Sequence, residues 1–295
     1  MKYLIGTRGS KLAMAQAEQV KNTLQGAFPQ HQFELCVIRT KGDKILDKPL
    51  SQIGGKGLFV KEIEEQILSE KVDIGVHSMK DMPSEPAEGL VFTTPWKRED
   101  ARDVLITREK KSLQELSAGA ILGTGSLRRQ VQIRQLRPDI ETVNIRGNVD
   151  TRLKKMEEQK LDGIILAAAG LHRLKKQDCI SQYFTIEEML PAPAQGVLAL
   201  EIRKEDTELK EMLNQFRDAE SAFCAKAERE FLSLSGGDCH TPVGAVCERK
   251  SEECYQLYGG LWDNQRKEFR RDVVEGTDAI RMAKTLWEKI RSDRT

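Results

Sequence analysis

The stretch Ala120-Ile121-Leu122-Gly123-Thr124-Gly125-Ser126-Leu127-Arg128-Arg129 runs from a short apolar segment through small residues into a helical pattern. The same transition recurs on either side of it. Strand-like runs are expected over 3–7, 33–39, 72–76, 104–107, 142–145 and 163–167, and helical patterns over 11–24, 58–68, 126–135 and 148–159. Ser10 stands in N-cap position before the first helix. Strands alternating with helices imply parallel sheets covered by helices, an α/β class. The run Pro191-Ala192-Pro193-Ala194-Gln195-Gly196 breaks the pattern before a strand over 197–202. After Asp218 the pattern changes to a long helix over 219–232, then to strands over 243–248, 255–261 and 268–274 that read as an antiparallel meander. A closing amphipathic helix over 278–291 places Ile280, Ala283, Leu286, Trp287 and Ile290 on one stripe. The last quarter of the chain therefore reads as a separate small α+β domain.

The chain has 295 residues with 47 Lys and Arg against 46 Asp and Glu, a net charge of +1. This length suggests two or three domains and a core that needs no disulfide staples. Near-neutrality argues against a dedicated nucleic-acid protein. It hides a local imbalance: residues 126–176 carry 12 basic and 6 acidic side chains, and residues 186–238 carry 6 basic and 12 acidic ones. No run of apolar residues is long enough for a membrane span, and the N-terminus does not read as a signal peptide, so a cytoplasmic protein is expected. The six cysteines form no Cys-x-x-Cys pair and the four histidines are not in ligand spacing with them, so neither a disulfide framework nor a metal site is expected.

Five motifs could carry chemistry. In 123–129, small residues at a helix N-terminus offer free N–H groups to an anion. Arg128 and Arg129 add fork-shaped donors there, although cations at this helix end oppose the macrodipole, so an anion is expected beside them. A solvated helix start is the plain alternative, and the P-loop spacing is absent. Arg146-Gly147-Asn148-Val149-Asp150-Thr151-Arg152 repeats the arrangement, and Arg8 with Ser10 does so again at the first strand end. Strand-end arginines of this number suit a substrate with several carboxylates. His77-Ser78-Met79-Lys80-Asp81-Met82-Pro83 follows a strand, where ligands bind in such sheets; Asp81 there could stabilise a cation or relay protons, or simply be a turn residue, and His77 alone reads as a core histidine. Gly54-Gly55-Lys56-Gly57-Leu58-Phe59 reads as a mobile loop or a plain turn. Cys239, in Gly236-Gly237-Asp238-Cys239-His240, lies on a glycine-rich loop as an accessible nucleophile or attachment point. The other cysteines read as small packed hydrophobes.

In order and spacing, these five motifs resemble the porphobilinogen deaminase (hydroxymethylbilane synthase) family over essentially the whole chain. The resemblance implies three domains: two resembling the lobes of type II periplasmic binding proteins (1–96 with 197–214, and 97–196) and a small α+β C-terminal domain (215–295) with a three-stranded antiparallel sheet. It implies a transferase that condenses four porphobilinogen molecules into linear hydroxymethylbilane with release of ammonia, in tetrapyrrole and haem biosynthesis. A dipyrromethane cofactor would be held through a thioether to Cys239 and would prime the chain. Asp81 would be the catalytic carboxylate, stabilising the cation formed on ammonia loss. Arg8, Ser10, Ser78, Lys80, Thr124, Ser126, Arg128, Arg129, Arg146, Asn148, Arg152, Arg173 and Gln195 would contact cofactor and substrate, and Lys56 and Phe59 would lie on a loop covering them. The partner is the small-molecule substrate, with no nucleic acid, no membrane and a monomeric state.

The chain departs from the family pattern at three places. Asp238 stands where many members have glycine, Gln52 where some have lysine, and Gly125 where serine is common. Two other classes of function use the same residues: a non-catalytic two-lobed anion binder, which leaves Cys239 and the C-terminal domain unexplained, and a nucleic-acid binder on the basic segment, which the low aromatic content of 5% disfavours.

Overall fold

The computed structural model describes residues 1–40, 60–83, 85–236 and 242–292. The motif at 54–59, with Lys56 and Phe59, and the attachment candidate Cys239 lie outside the described residues, as do Gln52 and Asp238. The chain divides into two compact units, Met1–Arg98 with Val197–Ala222, and Glu99–Gly196 with Phe223–Thr295.

In chain order, the first segment contains β1 (Lys2–Arg8), α1 (Lys11–Ala27), β2 (Gln32–Ile38), α2 (Lys61–Leu68), β3 (Ile74–Ser78), a 3-10 turn at Met79–Asp81, and β4 (Leu90–Phe92). The second contains β5 (Asp103–Thr107), β6 (Ile121–Gly123), α3 (Leu127–Leu136), β7 (Glu141–Val143), α4 (Val149–Glu158), β8 (Gly163–Ala167), α5 (Ala168–Arg173) and β9 (Gln182–Tyr183). Then follow β10 (Leu198–Arg203), α6 (Thr207–Asn214), α7 (Ala219–Leu234), β11 (Val243–Ser251), β12 (Cys254–Asp263), β13 (Glu268–Gly276) and α8 (Ala279–Ser292).

The first unit holds a five-stranded sheet in the order β2-β1-β3-β10-β4. β1 runs parallel to β2 and β3, whereas β10 is antiparallel to both β3 and β4. The second unit repeats the plan as β7-β6-β8-β5-β9, with β6 parallel to β7 and β8 and with β5 antiparallel to β8 and β9. Strand-helix alternation predicts parallel sheets; both sheets are mixed, because β5 and β10, the strands that follow a segment of the other sheet, run antiparallel to their neighbours. The strands the sequence left out, β4 and β9, have three and two residues, too short for a period-2 signal. The C-terminal strands form the expected three-stranded antiparallel sheet, β11-β12-β13.

Each sheet has its own core. In the first unit Ile5, Val20, Leu24, Phe33, Ile74 and Leu200 pack together; each such side chain contributes about 1.5–3 kcal/mol on burial. Ser10 caps α1, accepting from the Ala13 N–H at 3.2 Å. In the second unit Leu105, Leu122, Ile133, Ile165 and Phe184 fill one face of the sheet region, and Val104, Ile106, Ile164, Leu166 and Leu171 form a further cluster, so β5 and β8 are apolar on both faces. α8 buries Ala279, Met282, Ala283, Leu286 and Ile290 against Phe231 and Leu257. Ile280 is exposed instead: residues 279, 282, 283, 286 and 290 share a stripe from which 280 is turned away, which corrects the stripe read from the sequence. Cys224 and Cys247 are buried thiols and Cys36, Cys179 and Cys254 are half-buried ones, and these five are not joined in disulfides.

Candidate active site

In the first unit the candidates gather at the carboxyl ends of β1 and β3. Arg8 closes β1, and Ser10 starts α1. Ser78 ends β3, and its hydroxyl accepts from Gln16 Nε2 of α1 at 2.9 Å, which ties α1 to the end of β3. Met79–Asp81 continues as a 3-10 turn held by Met79 N–H donating to Val197 O at 3.0 Å and Met82 N–H to Met79 O at 3.1 Å. Met79 and Met82 point inward and are buried, whereas Lys80 is half-buried and Asp81 exposed. The turn thus leaves Asp81 exposed while its neighbours anchor it.

His77, one residue earlier, is buried, as a core histidine should be, but it faces a charged partner. Its Nε2 lies 3.2 Å from Glu201 Oε2, and the Glu201 side chain has no exposure. The register explains the meeting: Glu201 of β10 pairs with Gly75 of β3, and a Cβ at Gly75 would come within 2.7 Å of His77 Nε2 and 2.9 Å of Ile67 Cδ1. Only glycine leaves room there. Glu64 of α2 titrates above the usual carboxylate range, through its own burial and through the charge of Glu201.

In the second unit the arginine motifs meet a residue that the sequence did not single out. Asp103, the first residue of β5, has no exposed surface. Its Oδ2 accepts from Arg128 Nη1 at 2.6 Å; its Oδ1 accepts from Arg129 Nη2 at 2.7 Å, Arg129 Nε at 3.2 Å and Gln195 Nε2 at 2.8 Å. Burial alone would push the Asp103 carboxyl up, but the two guanidinium groups overcome it and hold it well below the usual range. Arg128 also donates to Leu190 O at 2.5 Å, Arg129 to Ile165 O at 2.9 Å and Gln195 to Ala101 O at 2.7 Å. The anion expected beside this helix start is therefore supplied first by the chain itself. Thr124 is buried, with its hydroxyl accepting from the Ser126 N–H at 3.2 Å. Ser126 occupies the N-cap of α3 without a side-chain capping bond.

Arg146 precedes Gly147, whose φ of +121° is open to glycine. That reversal lets Asn148 cap α4, with Oδ1 accepting from Thr151 N–H at 2.9 Å. Arg152 Nε donates back to Gly147 O at 2.8 Å. Arg173, the last residue of α5, donates from Nη2 to Gly196 O at 2.8 Å. Two donors in this group are buried with no hydrogen-bond partner, Arg146 Nη1 and Arg173 Nε. Burial pushes the Arg173 guanidinium down to about 10, and Glu99 offsets part of that. Buried N–H groups without acceptors are costly, and both belong to guanidinium groups, so what fits them is a carboxylate or another oxyanion. A dipyrromethane, with acetate and propionate side chains, meets that requirement.

Sequence reasoning also missed Glu228 of α7. It is fully buried and accepts from Ala194 N–H at 2.6 Å and from Cys247 N–H at 2.8 Å. Ala194 has a φ of 58°, so this carboxylate holds a strained turn beside Gln195. A single glutamate within a helical pattern gives no signal of such a role. Among the described residues, no group of three or more His, Cys, Asp or Glu side chains could hold a metal, and no helix is long and apolar enough to cross a membrane.

The fold and these residues define an α/β protein with a carboxylate-presenting strand end in one unit and a buried arginine layer in the other. The chain belongs to the porphobilinogen deaminase family. Residues 3–211 match the family's dipyrromethane cofactor-binding domain and residues 222–292 its C-terminal domain. Relatives described as porphobilinogen deaminase include those of Lachnospira eligens (52% identical, covering 95% of each chain), Alkaliphilus metalliredigens (49%, covering 97% of this chain and 92% of the relative) and Clostridioides difficile (47%, covering 94% and 92%). Among solved structures, a TRAP periplasmic solute-binding protein from Pseudomonas putida is similar at a TM-score of 0.40 and 12% identity, covering 80% of this chain and 81% of that one.

Proposed function

We propose that the two groups of residues divide the work of a hydroxymethylbilane synthase, which condenses four porphobilinogen molecules into the linear tetrapyrrole with release of ammonia. The observation that carries this reading is the pair of buried, unpartnered guanidinium donors on Arg146 and Arg173. They want oxyanion acceptors, and every pyrrole unit of the substrate and cofactor carries two carboxylates.

In this reading Cys239 holds the dipyrromethane, which supplies the pyrrole terminus that each new unit extends. Arg128, Arg129, Arg146, Arg152 and Arg173, with Thr124, Ser126, Asn148 and Gln195, hold carboxylates of the cofactor and the growing chain; Arg8, Ser10, Ser78, Lys80, Lys56 and Phe59 complete the contacts. Asp81 is the catalytic carboxylate. Exposed on an anchored turn, its carboxylate is available to stabilise the cation left when ammonia departs and to accept a pyrrole proton. Asp103 fixes Arg128 and Arg129 in direction, which suits recognition of several carboxylates better than free surface arginines would. The protein acts as a cytoplasmic monomer on three domains, 1–96 with 197–214, 97–196 and 215–295, with no nucleic-acid or membrane partner; its net charge of +1 supports the last point.

The test is ammonia release and hydroxymethylbilane formation from porphobilinogen by the purified chain. Binding of porphobilinogen without ammonia release would favour a non-catalytic anion binder instead.

A further inference from the structure

Glu99, His172 and Tyr183 form a hydrogen-bonded row that none of the roles above uses. His172 Nδ1 lies 3.0 Å from Glu99 Oε1, and its Nε2 lies 2.8 Å from the Tyr183 hydroxyl. A neutral ring gives the row one consistent proton order: Tyr183 O–H donates to Nε2, and Nδ1–H donates to Glu99. Arg102 covers the Tyr183 ring at 4.5 Å and is itself held by Asp100, Nη2 to Oδ2 at 2.7 Å. Glu99 Oε1 accepts in addition from the Asp100 N–H at 2.9 Å.

Arg173 directly follows His172. Its Nη2 and the Glu99 N–H donate to the same carbonyl oxygen, that of Gly196, at 2.8 and 3.3 Å. The Glu99 backbone N–H and the Arg173 guanidinium thus converge on one acceptor, which brings Glu99 beside Arg173, and a carboxylate beside a guanidinium can form an ion pair. Instead, Glu99 Oε1 is committed to His172 and Asp100, and Arg173 Nε stays buried without a hydrogen-bond partner. The charges still feel each other: burial raises the Glu99 carboxyl, and the Asp100 N–H, His172 and Arg173 bring it below the usual range.

We infer that His172 is a positioning residue for substrate binding: by holding the Glu99 carboxylate, it keeps Arg173 available to a carboxylate of the growing pyrrole chain. Without His172, Glu99 turns to Arg173 and competes with the substrate. The inference rests on the reading of Arg173 as a carboxylate-binding residue.

The experiment compares KM and kcat for porphobilinogen in the wild type, His172→Ala, His172→Asn, Glu99→Gln and the double variant His172→Ala/Glu99→Gln, with intact mass recorded for each. His172→Ala raises KM by about fivefold, the upper range for a partly exposed ion pair, with kcat little changed. His172→Asn keeps a donor near the Nδ1 position and stays close to wild type. Glu99→Gln alone is also close to wild type, and the double variant recovers the wild-type KM because the competing carboxylate is gone. A double variant as impaired as His172→Ala overturns the inference, as does an unchanged KM in His172→Ala or loss of the Cys239 adduct in that variant. A chain that carries the adduct and releases ammonia yet shows no rescue contradicts this role alone. A chain that does neither contradicts the family reaction itself.

Discussion

Arg128 Nη1 lies 2.6 Å from Asp103 Oδ2, and both side chains are almost completely buried. Arg129 and Gln195 meet the other oxygen of the same carboxylate. One acidic residue at the head of an apolar strand thus organises two arginines that start a helix and an amide from a distant turn. Substituting Asp103→Asn removes the countercharge and places an amide N–H against one of these donors. Breaking a buried ion pair this way costs about 3–5 kcal/mol. Urea unfolding of the wild type and Asp103→Asn should show a loss of that size; a loss under about 1 kcal/mol would mean the cluster relaxes freely.

The same carboxylate sets a pH dependence. Its pKa in the folded chain lies below the unfolded value, so its contribution is fully present above the unfolded pKa of about 3.9 and is lost as pH falls towards the folded one. The stability difference between wild type and Asp103→Asn is therefore constant from about pH 5 to 8 and narrows only below about pH 4. Unfolding curves across that range check this; a difference that already shrinks between pH 8 and 6 contradicts the assignment.

Asp81→Asn keeps the shape of the turn and removes the charge. The Met79 and Met82 backbone bonds do not involve the Asp81 side chain, so the variant folds with wild-type stability. In its proposed role as general acid-base and electrostatic stabiliser, Asp81 should be worth about 10²–10⁴ in kcat, with KM altered far less. Steady-state kinetics on porphobilinogen decides it, and near-normal turnover would remove Asp81 from its catalytic place.

The strand-helix alternation, the antiparallel C-terminal sheet and the Ser10 cap were legible in the sequence because each is written locally, in periodicity or in one capping residue. The reversed strands β5 and β10 were not, since strand direction is set by pairing with strands distant in the chain. The arginine motifs read as anion sites, and at Arg128 and Arg129 the anion in place is Asp103, separated from Arg128 by 25 residues. Buried pairs such as Asp103 with Arg128, or His77 with Glu201, form between elements distant in the chain, and no single-window pattern marks them. Glu228 was invisible for the same reason.

Glu228→Ala leaves the Ala194 and Cys247 N–H groups without their carboxylate acceptor. Each unsatisfied buried donor costs about 1–3 kcal/mol, so the variant loses roughly 3–5 kcal/mol and Glu228→Gln, which keeps one acceptor, about half of that. Thermal unfolding of the two variants should rank them in this order; equal losses would show that the second bond carries nothing.

In the proposed reading this chain carries a polycarboxylate pyrrole cofactor on Cys239, held by the arginine layer. Intact-mass spectrometry of the wild type and of Cys239→Ala, both produced in a porphyrin-competent host, tests it most directly. The wild type is expected to be heavier than its sequence by a dipyrromethane unit and Cys239→Ala to have its sequence mass. A wild type at its unmodified sequence mass, or an adduct that persists in Cys239→Ala, would contradict the account.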